Sequence, residues 1–215
     1  MKSEFFPNLV VVDHPLVRDK MTRLRSAECG VRDFREFVRE ATALVAYEAL
    51  REVGEEAVAV RTPLELSVGS RVPARTLASV VVLRAGLGMI EAVERLVPGI
   101  AVGHVGMERD HETLEASEYC FKVPPGLESR HVLVLDPMLG TGGTATAVVT
   151  GLKKRGARSL AFICLVTCPE GALAFQSAHP DVSVHTASFD RELSRSGYIL
   201  PGLGDAGDRL FGTEG

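Results

Sequence analysis

Tryptophan is missing from this 215-residue chain, and asparagine and glutamine occur once each, at Asn8 and Gln176. Such scarcity of thermolabile amides fits a hot environment, and a biased genome composition fits it equally. The 4 cysteines (Cys29, Cys120, Cys164, Cys168) are scattered. Cys164 and Cys168 have no ligand-type partner near them in sequence, which argues against a zinc site; reduced thiols of a cytoplasmic protein are expected instead. Long apolar runs are lacking too. The longest nearly apolar stretch, residues 160–168, is far short of the roughly 20 residues a membrane-spanning helix needs. The first nine residues carry no apolar core of a secretory leader. Neither sign of charge dominates: 24 Lys and Arg against 28 Asp and Glu leave a net charge of −4, and the pI is near 5.9. That excludes a general nucleic-acid coat or a membrane-surface protein, but not a local basic pocket for a small anion.

What is present is ordinary for a globular protein: 46% hydrophobic and 24% charged residues, enough for one domain spanning residues 1–215. The first 32 residues read as polar and mixed, with an extended piece at residues 9–12. Asp33 and Glu36 resemble a capping box opening a helix, whose apolar face carries Phe34, Phe37, Val38, Ala41, Leu44 and Val45 and which Gly54 ends. Residues 57–60 and 64–68 suit a hairpin. After that, short apolar strands (79–83, 100–105, 131–135, 160–166, 182–186) alternate with helices (87–96, 144–154, 170–178). This rhythm predicts an α/β fold, a parallel sheet flanked by helices. Two segments break it: residues 106–125, rich in charge, and residues 196–215, rich in glycine. In an open parallel sheet ligands bind beyond the carboxyl ends of the strands, so the loops after strands are the place to look.

The sharpest such loop follows the strand ending at Leu135: Asp136, Pro137, Met138, Leu139, Gly140, Thr141, Gly142, Gly143 and Thr144. Glycines let backbone N–H groups come close to a phosphate, the two threonine hydroxyls add donors, and a helix start adds partial positive charge. The loop lacks the Gly-Lys-Ser/Thr ending of a triphosphate loop and the G-x-G-x-x-G of a dinucleotide site. Arg84 with Gly86 and Gly88 follows another strand. That pattern suits a pyrophosphate clamp, and equally an arginine solvated beside a turn. The Met107-Glu108-Arg109-Asp110 run reads, by itself, as a wet loop.

The loop at 136–144 resembles the 5-phosphoribosyl-1-pyrophosphate (PRPP) loop of the phosphoribosyltransferases. Where many members have further acids, this chain has Pro137 and Gly140, a form similar to the uracil phosphoribosyltransferases; the missing third acid argues against a purine base. Residues 198–213, from Tyr198 through Ile199, Gly204, Asp205 and Ala206 to Thr213, resemble the uracil-binding hood of that family. The likeness extends from about Val11, through Asp13-His14-Pro15 and Tyr47-Glu48, to Thr213. Gly140 stands where alanine is more usual, which is expected to loosen the loop.

The resemblance implies a phosphoribosyltransferase-type sheet with an N-terminal arm, a hood at about 188–215 and a hairpin at about 106–125. It implies transfer of phosphoribosyl from PRPP to uracil, giving UMP and pyrophosphate, with Mg²⁺ carried mainly by PRPP. Thr141 to Thr144 would hold the 5-phosphate, Asp136 the ribose hydroxyls, Arg84 and Arg109 the pyrophosphate. Asp205 would lie near PRPP and its metal, and Ile199, Gly204 and Ala206 would read uracil. A homodimer or homotetramer is implied, and GTP as an effector in some members. Two alternatives stand beside this: a regulator of the same fold that binds RNA, against which the net charge and intact hood weigh, and a transferase for another base such as xanthine.

Overall fold

A computed structural model describes residues 5–109 and 116–213. In chain order the elements are β1 (Leu9–Val11), α1 (Pro15–Arg25), α2 (Val31–Ala49), β2 (Glu56–Arg61), β3 (Leu66–Arg71), β4 (Leu77–Leu83), α3 (Leu87–Leu96), β5 (Ala101–Arg109), β6 (Ala116–Lys122), β7 (His131–Leu135), β8 (Met138–Leu139), α4 (Gly143–Lys154), β9 (Ser159–Thr167), α5 (Pro169–Ala178), β10 (Ser183–Phe189), β11 (Glu192–Leu193), β12 (Ile199–Leu200) and α6 (Ala206–Phe211). An 8-stranded sheet runs β1-β10-β9-β7-β4-β5-β6, with β8 beside β9. The pairs from β1 across to β5 are parallel, and β6 runs antiparallel on the β5 edge. The fold is the α/β parallel sheet that the strand-helix rhythm predicts.

Each face of the sheet has its own core. Leu77 and Val81 of β4 point to one face, with Phe34, Val38, Met89 and Leu210 from α2, α3 and α6. Ala78, Val80 and Val82 point to the other, with Val148, Leu152 and Phe175 from α4 and α5. Side chains alternate along a strand, so burial on both faces requires an uninterrupted apolar run, and that is why β4 and β9 read as continuous Val/Ile/Leu stretches.

Several elements depart from expectation. The N-terminal stretch contains a full helix, α1. His14 caps it, accepting from the Leu16 N–H at 3.1 Å, and Pro15 takes the first helical position, where a missing N–H costs nothing. Its buried stripe is narrow, Val17, Met21 and Leu24, so its charges mask the period. Helix α2 starts at Val31 with Gly30 as N-cap; Asp33 sits in the first turn, and Glu36 pairs with Arg39 instead of closing a capping box. The charged segment after residue 105, irregular by composition alone and a hairpin by the resemblance, is mostly strand: β5 continues to Arg109 and β6 returns antiparallel from Ala116. The glycine-rich tail forms the β11–β12 pair and α6.

One buried ion pair ties this tail to the sheet. Asp190, just beyond β10, has a side chain 2% exposed. It receives Arg25 at 2.5 and 2.7 Å, the Ser188 hydroxyl at 2.7 Å and the Gly202 N–H at 2.8 Å. Arg25 also donates to the Gly202 carbonyl at 2.9 Å. Burial by itself would raise the Asp190 pKa, but Arg25, Ser188 and Gly202 outweigh it and hold the carboxyl below its ordinary range. Arg209 makes a second tie, donating to the carbonyls of Leu24, Leu203 and Ser26 at 2.7, 2.8 and 2.6 Å.

Asp190→Ala leaves Arg25 facing a buried void and is expected to lower unfolding free energy by about 3–5 kcal/mol at neutral pH. Because the folded pKa is depressed, this stabilisation is present above the ordinary carboxylate pKa and is lost as pH falls through the folded value. Urea unfolding of both proteins at pH 7 and under strongly acidic conditions checks it: the gap narrows in acid.

Candidate active site

The carboxyl ends of the central strands lie along one edge of the sheet, and the residues that follow them are Arg84 after β4, Asp136 after β7, Cys168 after β9 and Asp190 after β10. A cleft of about 420 Å³ opens there. One wall is the loop after β7: Asp136, Met138 to Gly142, and Thr144; the other is the tail, with Ser196 to Ile199 and Asp205. The structure thus brings together most of the residues that the sequence marked, from segments some sixty positions apart.

The loop geometry follows from its glycines and from α4. Gly142 is the N-cap of α4 at φ +81° and offers no capping side chain, so the first amides of α4 are left to other acceptors. The Thr141 hydroxyl lies 3.4 Å from the Gly143 N–H. A Cβ at Gly142 would sit 3.0 Å from Ala174 Cβ and 3.1 Å from the Gly171 carbonyl oxygen. The missing side chain therefore makes room for α5 and for a left-handed turn, not for a ligand. At Gly140 a Cβ would meet Leu193 and Ile199 at 3.6 and 3.8 Å, ordinary contact, so alanine fits there. Pro137 does not line the cleft. It is buried, and its carbonyl accepts from Leu165 and Val166 at 2.9 and 3.1 Å, anchoring the loop on β9.

In the tail, β11 and β12 pair antiparallel, Leu193 opposite Ile199. Flanking bonds use the carbonyls of Tyr198, taken by Ser194 at 2.7 Å, and Leu200, taken by Arg191 at 3.0 Å. Ile199 occupies the non-hydrogen-bonded position between them, so its own N–H and C=O turn away from β11. Gly202 (φ +62°) and Gly204 (φ +71°) bend the chain into α6. The Asp205 side chain accepts from the Asp208 N–H at 2.9 Å, while the residue lines the cleft. Ala206 is fully buried and Gly204 exposed; neither lines the cleft itself.

Arg84 stands beside this tail rather than within the cleft lining. It donates to Asp208 at 3.3 Å, with its side chain 57% exposed, and faces the Phe211 ring at 5.8 Å. Gly86 allows the tight turn behind it, since a Cβ there would lie 2.4 Å from the Leu135 carbonyl oxygen. The backbone of Arg109 ends β5; its side chain and residues 110–115 lie outside the described residues.

Asp136 has the most perturbed carboxyl in the cleft. Apolar surroundings strip its water and push its pKa from 3.8 up to about 7, against the pull of the Met138 N–H, which donates to it at 3.2 Å. Part of the residue still reaches the cleft, where an incoming ligand can meet the carboxyl. Burial likewise pushes the Cys164 thiol to about 12 and raises Cys168, which agrees with unreactive thiols. Among the described residues no group of three or more His, Cys, Asp or Glu is arranged to hold a metal.

Sequence reading missed Gly171, Arg25 and Asp190. A Cβ on Gly171 would lie 2.3 Å from the Gly140 carbonyl oxygen and 2.4 Å from that of Leu139, so α5 reaches the loop only because this residue is glycine. A glycine within a helix is the signal available; for the Arg25–Asp190 pair, 165 positions apart, there is none.

The sequence model of the uracil phosphoribosyltransferase family matches residues 11–213. A uracil phosphoribosyltransferase of Ligilactobacillus salivarius is 49% identical over 204 residues, 95% of this chain and 98% of the relative. One of Listeria welshimeri is 49% identical over 207 residues, 96% and 99% of the two chains. A solved structure of an Aquifex aeolicus protein superposes with a TM-score of 0.90 at 32% identity, covering 96% of this chain and 99% of that one. A hypoxanthine phosphoribosyltransferase of Staphylococcus aureus shares the fold at TM-score 0.51 and 14% identity, over 74% and 76%.

Two expectations follow from the loop. Gly140→Ala stabilises by about 0.4–1 kcal/mol, because the site accepts the methyl and the unfolded chain loses freedom. Gly142→Ala destabilises by about 1–2 kcal/mol, because alanine must take a left-handed conformation. Denaturant midpoints distinguish the signs. Asp136→Asn removes a carboxyl whose folded pKa is raised. Below its ordinary pKa of 3.8 the folded and unfolded states both hold the proton; from there to about 7 only the unfolded chain ionises. The wild-type protein therefore loses stability relative to Asp136→Asn across that window, by on the order of a few kcal/mol. Unfolding curves of both proteins between pH 4 and 7.5 check this; a constant difference contradicts it.

Proposed function

The chain belongs to the uracil phosphoribosyltransferase family, and from that premise we propose how its cleft carries the 5-phosphoribosyl group of PRPP to uracil, giving UMP and pyrophosphate. The observation that supports this reading is the pairing of the 136–144 loop with the tail across one cleft, which sets a phosphate-binding wall opposite a backbone-lined wall. Thr141, Gly142, Gly143 and Thr144 hold the 5-phosphate through hydroxyls and the first amides of α4. Asp136 accepts from the ribose hydroxyls. Arg84, and Arg109 at the end of β5, take the pyrophosphate.

Uracil is assigned to the tail. Its N–H and C=O edge meets the outward-turned backbone of Ile199, beside Asp205; Gly204 and Ala206, outside the lining, flank Asp205 where the chain bends into α6. Bond breaking at C1 of the ribose runs ahead of bond making, so positive charge develops on the sugar as negative charge grows on pyrophosphate. Positioning and fixed charges carry the rate, and no covalent intermediate is needed. Exclusion of water from the sugar cation favours transfer over hydrolysis.

Magnesium fits the donors present. A dedicated cage is absent among the described residues, but Asp136 and Asp205 both reach the cleft. That is the donor set of an ion held by one or two carboxylates, water and substrate phosphates. Bound with PRPP, Mg²⁺ supplies charge neutralisation of the departing pyrophosphate. A homo-oligomer is also proposed, supported by the β2–β3 hairpin, which among the described residues pairs with no other strand and holds Leu64 95% exposed beside exposed Leu66 and Val68; such apolar patches mark protein contacts.

Among the described residues no helix is long and apolar enough to cross a membrane.

UMP formation from uracil, PRPP and Mg²⁺ tests the reading. Arg84→Ala is expected to lower turnover by about 30- to 1,000-fold, the value of a charge-assisted contact to a leaving group, about 2–4 kcal/mol. Its exposed pair with Asp208 contributes little to stability, so the fold persists, and Arg84→Lys restores little because it lacks the planar fork. In a panel of bases, uracil and 5-fluorouracil react while cytosine is rejected by about 10⁴-fold, its donor and acceptor pattern being inverted against buried backbone groups. Comparable rates for uracil and hypoxanthine or xanthine contradict the base assignment.

A further inference from the structure

The β9–α5 junction lies behind the phosphate loop and holds two consecutive loop carbonyls. The Thr167 hydroxyl, fully buried, donates to the Leu139 carbonyl at 2.9 Å. The next side chain, Cys168, also fully buried, donates its thiol to the Gly140 carbonyl at 3.5 Å. Both carbonyl oxygens converge on Gly171, where a Cβ would lie 2.4 and 2.3 Å from them. Leu139 and Thr167 are also register partners in the parallel β8–β9 pair.

The consequence follows from peptide geometry. The peptides that join Leu139 to Gly140 and Gly140 to Thr141 are trans, since the cis bonds of the described residues are elsewhere. In a trans peptide the N–H points opposite to the C=O. Carbonyls drawn under α5 therefore turn the Gly140 and Thr141 amides away from α5, toward the cleft that both residues line. The flipped orientation would set carbonyl lone pairs against an anionic ligand, which repels it. We propose that Thr167 is a positioning residue for phosphoribosyl transfer, assisted by Cys168 and by the bare Cα of Gly171: it fixes the peptide orientation that makes Gly140 and Thr141 amide donors to the 5-phosphate. This rests on the reading that the loop holds the 5-phosphate.

The test compares two ligands that share no phosphate site under that reading. Ribose 5-phosphate probes the loop, and inorganic pyrophosphate with Mg²⁺ probes the arginines. Calorimetry on Thr167→Val is expected to weaken ribose 5-phosphate and PRPP by about tenfold or more, the effect of losing an oriented donor pair, with pyrophosphate within about twofold of wild type. Thr167→Ser, which keeps the hydroxyl, restores ribose 5-phosphate binding to within about threefold. Steady-state kinetics give the same split, KM for PRPP rising while KM for uracil holds. Equal weakening of both ligands, or failure of serine to rescue, overturns the proposal, as does wild-type ribose 5-phosphate affinity in Thr167→Val. If circular dichroism shows Thr167→Val unfolded, Thr167→Ser and Cys168→Ala carry the same contrast, with a several-fold selective loss expected in Cys168→Ala. The doubly substituted Thr141→Val/Thr144→Val protein separates the premise from the proposal. Unchanged ribose 5-phosphate affinity there sinks the loop reading itself, whereas a loss there with none in Thr167→Val sinks only the role of Thr167.

Discussion

The tail side of the cleft is fixed by the buried Asp190 carboxylate. Ile199, Leu203, Ala206 and Leu210 bury the tail in the core, but apolar contact is non-directional and does not by itself set one geometry. Asp190 supplies the missing constraint by binding Arg25 of α1 with one set of contacts and the Gly202 amide with another. The N-terminal helix, the end of β10 and the tail thus meet at a single charge. A buried pair of this kind contributes little net stability compared with an apolar replacement, but it enforces one geometry, because each partner is costly to leave alone. What the pair gives this wall of the cleft is that single geometry.

The opposite wall is held by different means. Thr141 gives the loop one local contact, its hydroxyl accepting from the Gly143 N–H; the rest of the backbone is gripped from behind, by Pro137 on β9, Thr167 at the end of β9 and Cys168 at the start of α5. Gly171 permits the approach. On the reading proposed above, the donors of this wall are backbone amides, whose direction is inherited from the carbonyls on the far side of each peptide. Those carbonyls are held by the core, so the peptide orientation needs no help from a ligand. Asp136 stands at the junction of core and cleft, where burial pushes its carboxyl pKa up.

The two walls join through α5 and α6. Glu170, in the first turn of α5, accepts from the Leu193 N–H at 3.1 Å, and that contact holds its carboxyl below the ordinary range. Gly88 of α3 accommodates Leu210 of α6, whose side-chain carbon would lie 2.7 Å from any Cβ there. Arg84, Asp205 and Asp208 consequently sit within one small region. Strand ends, helix starts and tail are one packed unit, and a displacement of α5 moves both walls.

The sequence by itself determined the α/β class, because strands buried on both faces must be continuously apolar and helices flanking them must carry a 3.6-residue stripe. It also marked the 136–144 loop and the tail as candidate site segments, and the structure brings both to one cleft. It hid α1, where charges surround a stripe of three apolar residues, and it disguised β6, a polar edge strand, as a loop. Only the tertiary structure decided what grips these segments. Arg25 and Asp190, or Thr167 and Leu139, carry no local pattern that joins them, since their partnership exists only when the sheet order β10-β9-β7 brings distant strand ends together. The same holds for Gly142 and Gly171, which sequence reads as room for a ligand or as nothing. In the fold they are room for another piece of the chain, because close packing, and not the ligand, sets the space around them.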